Sequence, residues 1–218
     1  MSGLLNNIAS PAFGYVLLTA TGIALQVVVH GFRFPGSARG SVFALDRETT
    51  PDKKRFDALV EDHKRATGES SLPKEGYPDM GAGRFSDLLS YQDWYRFALN
   101  QRVHYNYVEG VASAITLNVI AGCFFPRYAA ALGGAYMLGR EVFATGYVTA
   151  GAKGRIYGAV LLDLALLGLL CVRRRPNCAA DERLFFLLTR LRPSFYLLNY
   201  SRRSLSVAGA LKHAQILR

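Results

Sequence analysis

Four long apolar stretches divide this chain and constrain its fold more than any other feature. They cover residues 12–32, 95–125, 127–149 and 155–172. A helix needs about 20 mostly apolar residues to cross the hydrocarbon of a bilayer, where an isolated strand would leave its backbone groups unpaired. The pattern therefore predicts an all-α fold, an integral membrane four-helix bundle formed by residues 1–172.

The charged residues are segregated between these stretches. The chain carries 26 Lys and Arg against 16 Asp and Glu, but residues 33–96 hold 11 of each sign and cancel. The tail, residues 173–218, holds ten basic and two acidic residues, together with the short apolar runs 184–188 and 195–198. We expect a basic amphipathic tail that meets anionic lipid headgroups or an acidic partner surface, and not nucleic acid.

The long polar insert, residues 33–94, separates the first two predicted spans. Thr50-Pro51-Asp52-Lys53 is typical of a helix start, with Phe56 and Leu59 on the apolar side of that helix. Turn signals stand at Pro35-Gly36 and at several later Pro and Gly residues. A loop of this length is unusual unless it is functional, disordered or held by other contacts, and we expect it to be held.

Targeting and redox signals are sparse. Residues 1–10 have neither the basic region of a signal peptide nor the arginines of a transit peptide. Cys123, Cys171 and Cys178 make no CxxC pair and no zinc-ligand spacing with the four histidines, so neither a disulfide framework nor a metal site is predicted. Four spans place both termini on one side, but the basic residues near the span ends are almost evenly divided, so the orientation stays open.

Three polar residues at the start of the second apolar stretch are the first candidates for a site. Arg102, Asn106 and Glu109 stand at i, i+4 and i+7, so a helix places them on one face. Polar groups at the mouth of a membrane span are costly and usually functional. The same three residues also fit a structural network that ties the helices together.

A second polar face lies on the third apolar stretch. Arg140, Phe143 and Tyr147 share one side of the predicted helix, and Glu141 offers Arg140 an alternative partner. Asp163 is the lone acid of the fourth stretch, and it fits either a functional site or a hydrogen bond to a neighbouring helix.

Taken in order, these motifs resemble a known family. The motifs are Pro11 to Leu18, the Gln-Arg-x-His-x-Asn-x-x-Glu run from Gln101 to Glu109, Phe125-Pro126-Arg127, Gly139-Arg140 and Gly146-Tyr147. They are similar to the membrane-associated proteins in eicosanoid and glutathione metabolism (MAPEG), and most of all to the microsomal glutathione S-transferases of the third type. No counterpart is recognised for residues 33–75 or for the tail. The resemblance implies a left-handed four-helix membrane bundle that forms a homotrimer and binds glutathione at its subunit boundaries.

The resemblance also implies roles for individual residues. Glutathione offers two carboxylates, an ammonium and a thiol, so its site needs arginines and an acid. By position, the resemblance assigns glutathione binding to polar residues of the second and third helices, and activation of the thiol to a residue at the start of the fourth helix. They are Arg102, Asn106, Glu109, Arg140 and Tyr147 for binding, and Arg155 for catalysis. Arg155 equally fits a cation at a helix end that reaches for water, and Tyr147 an interfacial aromatic residue.

Two functions from different classes remain open. The first is a glutathione-dependent transferase or peroxidase that acts on apolar electrophiles or lipid hydroperoxides. The second is a non-catalytic accessory subunit of a large complex of the mitochondrial inner membrane, of the respiratory-chain or ATP-synthase type, which contacts other membrane subunits through residues 33–94 and 173–218. Surfaces of that size are costly to order without a partner, which favours the second, while the residues of the second helix favour the first. The compartment is correspondingly the endoplasmic reticulum or the mitochondrion.

Overall fold

A computed structural model describes residues 2–171 of the chain, and the predicted tail lies outside these described residues. No strand occurs between residues 2 and 171, and almost all regular structure there is α-helical. The helices are α1 (Ser2–Ile8), α2 (Pro11–Gly31), α3 (Ser37–Val42), α4 (Lys53–Thr67), α5 (Tyr91–Phe124), α6 (Pro126–Gly154) and α7 (Ile156–Cys171).

The first long helix extends beyond its predicted end. Pro11 occupies the first turn of α2, where its missing N–H costs nothing. The predicted turn at Pro35-Gly36 is wrong, because a π-helical turn over Phe32–Gly36 carries the helix directly into α3. Pro35 has no N–H to donate and would collide with the preceding turn of a regular helix, and the wider π-helical turn gives it room. Residues 33–42 therefore belong to the helix and not to the loop.

Helix α5 begins and ends at identifiable signals. The Ser90 hydroxyl accepts a hydrogen bond from the Asp93 N–H and caps the N-terminus. The last carbonyls, of Cys123 and Phe124, accept hydrogen bonds from the Asn7 side chain at 3.2 and 2.9 Å, so α1 caps the other end. Pro126 then starts α6 after a single residue.

The α6 and α7 helices form a closely packed pair. Gly151 (φ 64°, ψ −153°) breaks the helical path inside the predicted link 150–154, a conformation that favours glycine. Across the pair, the glycine at 158 lies directly against the Phe143 backbone, and a Cβ there would overlap it. Small residues of this kind let membrane helices approach until their backbones pack.

One apolar cluster joins all four long helices. Its buried members are Ile23 of α2, Tyr107 and Ala114 of α5, Tyr136 and Phe143 of α6, and Leu162 and Ala165 of α7. The outward sides of the same helices expose large apolar residues such as Leu18, Leu25 and Val160. This reverses the usual polar exterior and suits a lipid environment.

By length and composition, two described helices are able to cross a membrane. They are the continuous helix Pro11–Val42 and α5. The α6 and α7 helices qualify only as a pair that is bent by 113°, which brings the number to at most three. The four predicted spans thus correspond to two or three helices of membrane length.

The insert is held by a core of its own. The predicted helix appears as α4, whose N-cap Asp52 accepts a hydrogen bond from the Arg55 N–H. A separate cluster joins the insert to α3 and α5; its buried members include Ala38, Phe43, Leu59, Phe85, Leu88 and Phe97. In this structure the contacts that hold the insert come from within the chain.

The contact at Gly158 predicts a sharp cost of enlargement. We expect Gly158→Ala to lower the free energy of unfolding by about 1–3 kcal/mol, because the added methyl group would push α7 away from the Phe143 backbone. The measurement is reversible denaturation in mixed micelles, followed by circular dichroism.

The matched control is Gly134→Ala on α6, where a Cβ would meet no atom within 4 Å. This control is expected to be neutral or to stabilise by up to about 1 kcal/mol, since alanine favours a helix. Equal stability of the two variants would contradict close packing between α6 and α7.

Candidate functional site

Two of the predicted residues of α5 pair with each other on an exposed face. An Arg102 nitrogen lies 3.2 Å from a Glu109 carboxylate oxygen, across two turns of the helix. The side chains are 52% and 58% exposed, so this ion pair alone adds little to stability. Both groups are available to a ligand that offers an anion and a cation together.

Asn106, the third residue of this set, pairs with Arg140 instead. The Arg140 guanidinium is buried, with 4% of the residue exposed, and its Nη1 donates to Asn106 Oδ1 at 2.7 Å. Its Nε donates to the Tyr136 hydroxyl at 2.9 Å. The guanidinium carbon also lies 4.7 Å from the ring centre of Tyr107 and 5.0 Å from that of Tyr136, within cation–π range.

A glycine makes room for this buried cation. A Cβ at Gly110 would lie 2.7 Å from Arg140 Nη2, closer than side-chain atoms tolerate. Gly110 therefore lets the guanidinium reach the backbone of α5.

Tyr147 and Arg155 form a third pair at the end of α6. The Arg155 guanidinium lies 5.6 Å from the Tyr147 ring centre, and the Phe143 ring stacks on the Tyr147 ring with 5.8 Å between the ring centres. Tyr147 also packs against the cluster that contains Val103 of α5. The start of α7 thus lies at the same end of the molecule as Arg102.

Glu141 does not pair with Arg140. Its carboxylate accepts hydrogen bonds from three side chains of the helix Pro11–Val42, namely Gln26, His30 and Arg33. Consecutive residues point in different directions around a helix, which explains why Arg140 faces α5 while Glu141 faces α2. The alternative prediction, that Glu141 pairs with Arg140, is therefore wrong.

The six predicted residues are therefore brought together as three pairs and not as one cluster. The pairs are Arg102 with Glu109, Asn106 with Arg140, and Tyr147 with Arg155. They follow one side of the α5 and α6 helices, from the buried middle toward the end that carries the insert.

A cavity of about 460 Å³ lies on the other side of α5, between that helix and α2. Its walls include Val27, Phe32, Tyr77, Met80, Gln101 and His104. At about 100° per residue, His104 lies roughly opposite the face of Arg102 and Glu109, and Gln101 lies about a quarter turn away from that face. The volume falls within the range of small-molecule sites, and apolar side chains make up most of the lining.

The lining of the same cavity also includes an arginine that was not among the predicted site residues. Arg39 is 3% exposed, and within residues 2–171 no carboxylate lies close enough to pair with it. Its guanidinium donates to the carbonyls of Glu75 and Asp79 at 3.0 and 2.6 Å and lies 4.1 Å from the Tyr77 ring centre. A buried cation that has only neutral partners favours an anion in the adjoining cavity. The sequence analysis assigned Arg39 to the polar insert. Its position at the cavity follows from the continuation of the first helix through residues 32–42, which was not predicted.

A tight turn around Asp79 holds the insert over this cavity. The carboxylate accepts hydrogen bonds from the backbone N–H groups of Gly81, Gly83 and Ser86 and from the Ser86 hydroxyl. Burial alone would raise the pKa of Asp79, but the four hydrogen bonds outweigh it and hold the pKa below its ordinary value of 3.8. The ionised carboxylate is therefore part of the folded turn.

The described residues contain no group of three or more His, Cys, Asp and Glu side chains that could hold a metal ion. The features that remain are arginines, amides and tyrosines. Groups of this kind bind and orient anions.

A comparison with known protein families gives one match. The model of the MAPEG family matches residues 12–173, well over half of the chain. The matched range runs through the insert, including residues 33–75 where no counterpart was recognised, and it excludes nearly all of the tail.

The Asp79 turn predicts an acid-sensitive insert. Because the pKa of Asp79 is lowered in the folded chain, its stabilising contribution is complete above the ordinary value of 3.8 and is lost as the pH falls through the lower, folded value. We expect the hydrogen-exchange protection factor of the Ser86 amide to fall in that acidic window in the wild type. In Asp79→Asn it should already be low at neutral pH and change little on acidification.

The control is Asp87→Asn, an exposed acid beside the same turn. It should keep the wild-type protection and the wild-type pH profile. Wild-type protection of the Ser86 amide in Asp79→Asn at neutral pH would contradict the role of this carboxylate.

Proposed function

The chain belongs to the MAPEG family, and from this premise we propose that it is a membrane-bound, glutathione-dependent transferase or peroxidase. The family and the apolar helices make it an integral membrane protein. Membership is consistent with glutathione transferase chemistry in the membrane. Within the family we place it nearest to the microsomal glutathione S-transferases of the third type, as a four-helix membrane bundle.

The buried Arg140 is the observation that carries this proposal. A guanidinium this deep among membrane helices is costly, and here Asn106, Tyr136 and two aromatic faces hold it in one orientation. Together with Arg102 and Glu109 on the same side of α5, it offers two cations and one acid. Glutathione presents the complementary groups, namely two carboxylates and one ammonium.

The chemical step requires a thiolate. A free thiol has a pKa near 8.5, so only a few per cent is ionised at neutral pH unless a cation lies nearby. Arg155 is the proposed cation, and its position over the Tyr147 ring keeps the guanidinium at the end of the site. In the transferase reaction, the thiolate forms a C–S bond to a carbon of an apolar electrophile. A leaving group then departs with the electrons of the broken bond or, where the electrophile is an epoxide, the C–O bond at that carbon breaks and the ring oxygen takes up a proton.

The peroxidase reaction uses the same thiolate. The sulfur attacks the terminal oxygen of a lipid hydroperoxide, the O–O bond breaks, and the lipid leaves as an alcohol after protonation. A second glutathione then displaces water from the resulting sulfenic acid, giving glutathione disulfide and water. Both substrates are apolar, which suits access from the surrounding lipid.

Assembly into a ring would explain why two faces of α5 carry binding groups. A ring of identical copies joins two different surfaces of each subunit, so one face of a copy meets a different face of its neighbour. We propose a homotrimer in which the Arg102 face of one copy meets the Arg39 cavity of the next. Arg39 would then bind a glutathione carboxylate from across the boundary.

A second function is favoured by one specific observation. Because Arg102 and Glu109 neutralise each other without a ligand, this face is also satisfied as a structural pair. A chain of this kind would serve as a non-catalytic subunit of a large complex in the mitochondrial inner membrane, joined to other membrane subunits through residues 33–94 and 173–218. The proposed enzyme would be located in the membrane of the endoplasmic reticulum or of the mitochondrion.

Glutathione binding decides between the two functions. We expect binding in the millimolar range or tighter by calorimetry in mild detergent, with a size that corresponds to a homotrimer. Arg102→Ala should weaken it by about tenfold to a hundredfold, the loss of a hydrogen-bonded charge. Arg155→Ala should retain most of the affinity but lose the thiolate absorbance of bound glutathione in the ultraviolet.

The matched control is Arg127→Ala, an exposed arginine at the opposite end of α6. It should bind glutathione like the wild type. The enzyme proposal fails if the wild type does not bind glutathione and migrates only within a large heteromeric complex.

A further inference from the structure

Three polar side chains of α2 and the π-helical turn converge on one carboxylate of α6. Gln26, His30 and Arg33 stand at i, i+4 and i+7 and therefore share one helix face. The His30 and Gln26 nitrogens lie 2.7 and 2.9 Å from Glu141 Oε1, and an Arg33 nitrogen lies 2.9 Å from Oε2. An ionised carboxylate accepts all three hydrogen bonds at once.

The carboxylate determines how its partners are oriented. It can only accept, so the His30 nitrogen that faces it must carry a proton, and the other ring nitrogen of His30 has no partner in the described chain. The Gln26 amide nitrogen donates both to Glu141 and to the Met137 carbonyl at 3.0 Å. A flipped amide would point its oxygen at two acceptors, so Glu141 fixes the direction of the Gln26 side chain.

The fixed amide in turn holds Tyr107. The Gln26 oxygen accepts a hydrogen bond from the Tyr107 hydroxyl at 2.7 Å. Tyr107 is completely buried in the cluster shared by the four long helices, and its ring face lies 4.7 Å from the Arg140 guanidinium carbon. The contacts therefore run without interruption from Glu141 through Gln26 and Tyr107 to Arg140.

We propose that Glu141 is a positioning residue that acts through Gln26 and Tyr107 to set the orientation of the Arg140 guanidinium. Only the ligand of this arginine rests on the proposed function, whereas the positioning itself rests on the contacts above. Glu141 is next to Arg140 in sequence, but it acts on Arg140 only through the side chains of Gln26 and Tyr107. The direct ion pair that their adjacency suggests does not form.

A purely structural role for Glu141, as a link between α2 and α6, predicts a different result. If Glu141 only joined the helices, removing the exposed Arg33 would act like removing the carboxylate, and the Tyr107 hydroxyl would not matter. If Glu141 acts through Gln26, then Tyr107→Phe should reproduce the effect of Glu141→Gln on Arg140, and Arg33→Ala should have little effect. In Glu141→Gln, either orientation of the new amide places its NH₂ group against a donor.

The first experiment observes Arg140 without any ligand. Arginine side chains are labelled with ¹⁵N in the full chain in detergent, and the Arg140 Nε–H signal is assigned by its loss in Arg140→Lys. Glu141→Gln and Tyr107→Phe should both shift and broaden this signal, because the aromatic ring beside it turns. Arg33→Ala and the controls, Glu61→Gln on α4 and Tyr128→Phe on the outside of α6, should leave it in place.

The second experiment measures glutathione affinity by calorimetry for the same variants. We expect Glu141→Gln and Tyr107→Phe to weaken binding by about tenfold each, within the range for residues that act through a packed network. Their double variant should be little worse than either single one, because both changes break the same connection. Tyr107→Phe keeps the buried ring, so it also provides the test if Glu141→Gln does not fold.

The outcomes separate the two proposals. An Arg140 signal that stays unchanged in Tyr107→Phe overturns the positioning role, whatever glutathione does. Wild-type chain that binds no glutathione, but whose Arg140 signal responds as expected, overturns the proposed function and leaves the positioning role standing.

Discussion

The cost of leaving a polar group unpaired among membrane helices is the constraint on which the rest of the structure depends. Water is absent there, so a buried polar side chain is stabilised by a partner on its own or on a neighbouring helix. Asn118 illustrates the solution, because it accepts from Thr19 of α2 and donates to the Ala129 carbonyl of α6. Such pairs fix the rotation of each helix about its axis, which apolar packing alone leaves poorly determined.

Much of the fold follows from the order of apolar residues and helix signals. Pro11, Ser90 and Pro126 begin helices for local reasons, and glycine at 151 breaks the path where the link was predicted. The extension through Pro35 was not predictable from those rules, because a π-helical turn depends on what packs around it. That one turn moves Arg39 from a presumed loop to the wall of a cavity.

The candidate site was predictable as a set of positions but not as a set of contacts. Helical spacing correctly places Arg102 and Glu109 on one face, where they meet. Nothing in that spacing says that Asn106 turns to Arg140, since the choice depends on Gly110 leaving room for the guanidinium. Pairings across helices require the relative height and rotation of two elements, which a single sequence does not specify.

The neighbours Arg140 and Glu141 show how the fold separates binding from support. A buried ion pair between Arg140 and Glu141 would offset much of the attraction of the arginine for a charged ligand, unlike the exposed and weakly coupled pair of Arg102 and Glu109. Because α6 turns by about 100° per residue, the arginine faces α5 and the glutamate faces α2. The acid is then satisfied by three donors of α2, and the cation keeps neutral partners in Asn106, Tyr107 and Tyr136. A cation held this way has a defined direction, set by hydrogen bonds and ring contacts with uncharged side chains.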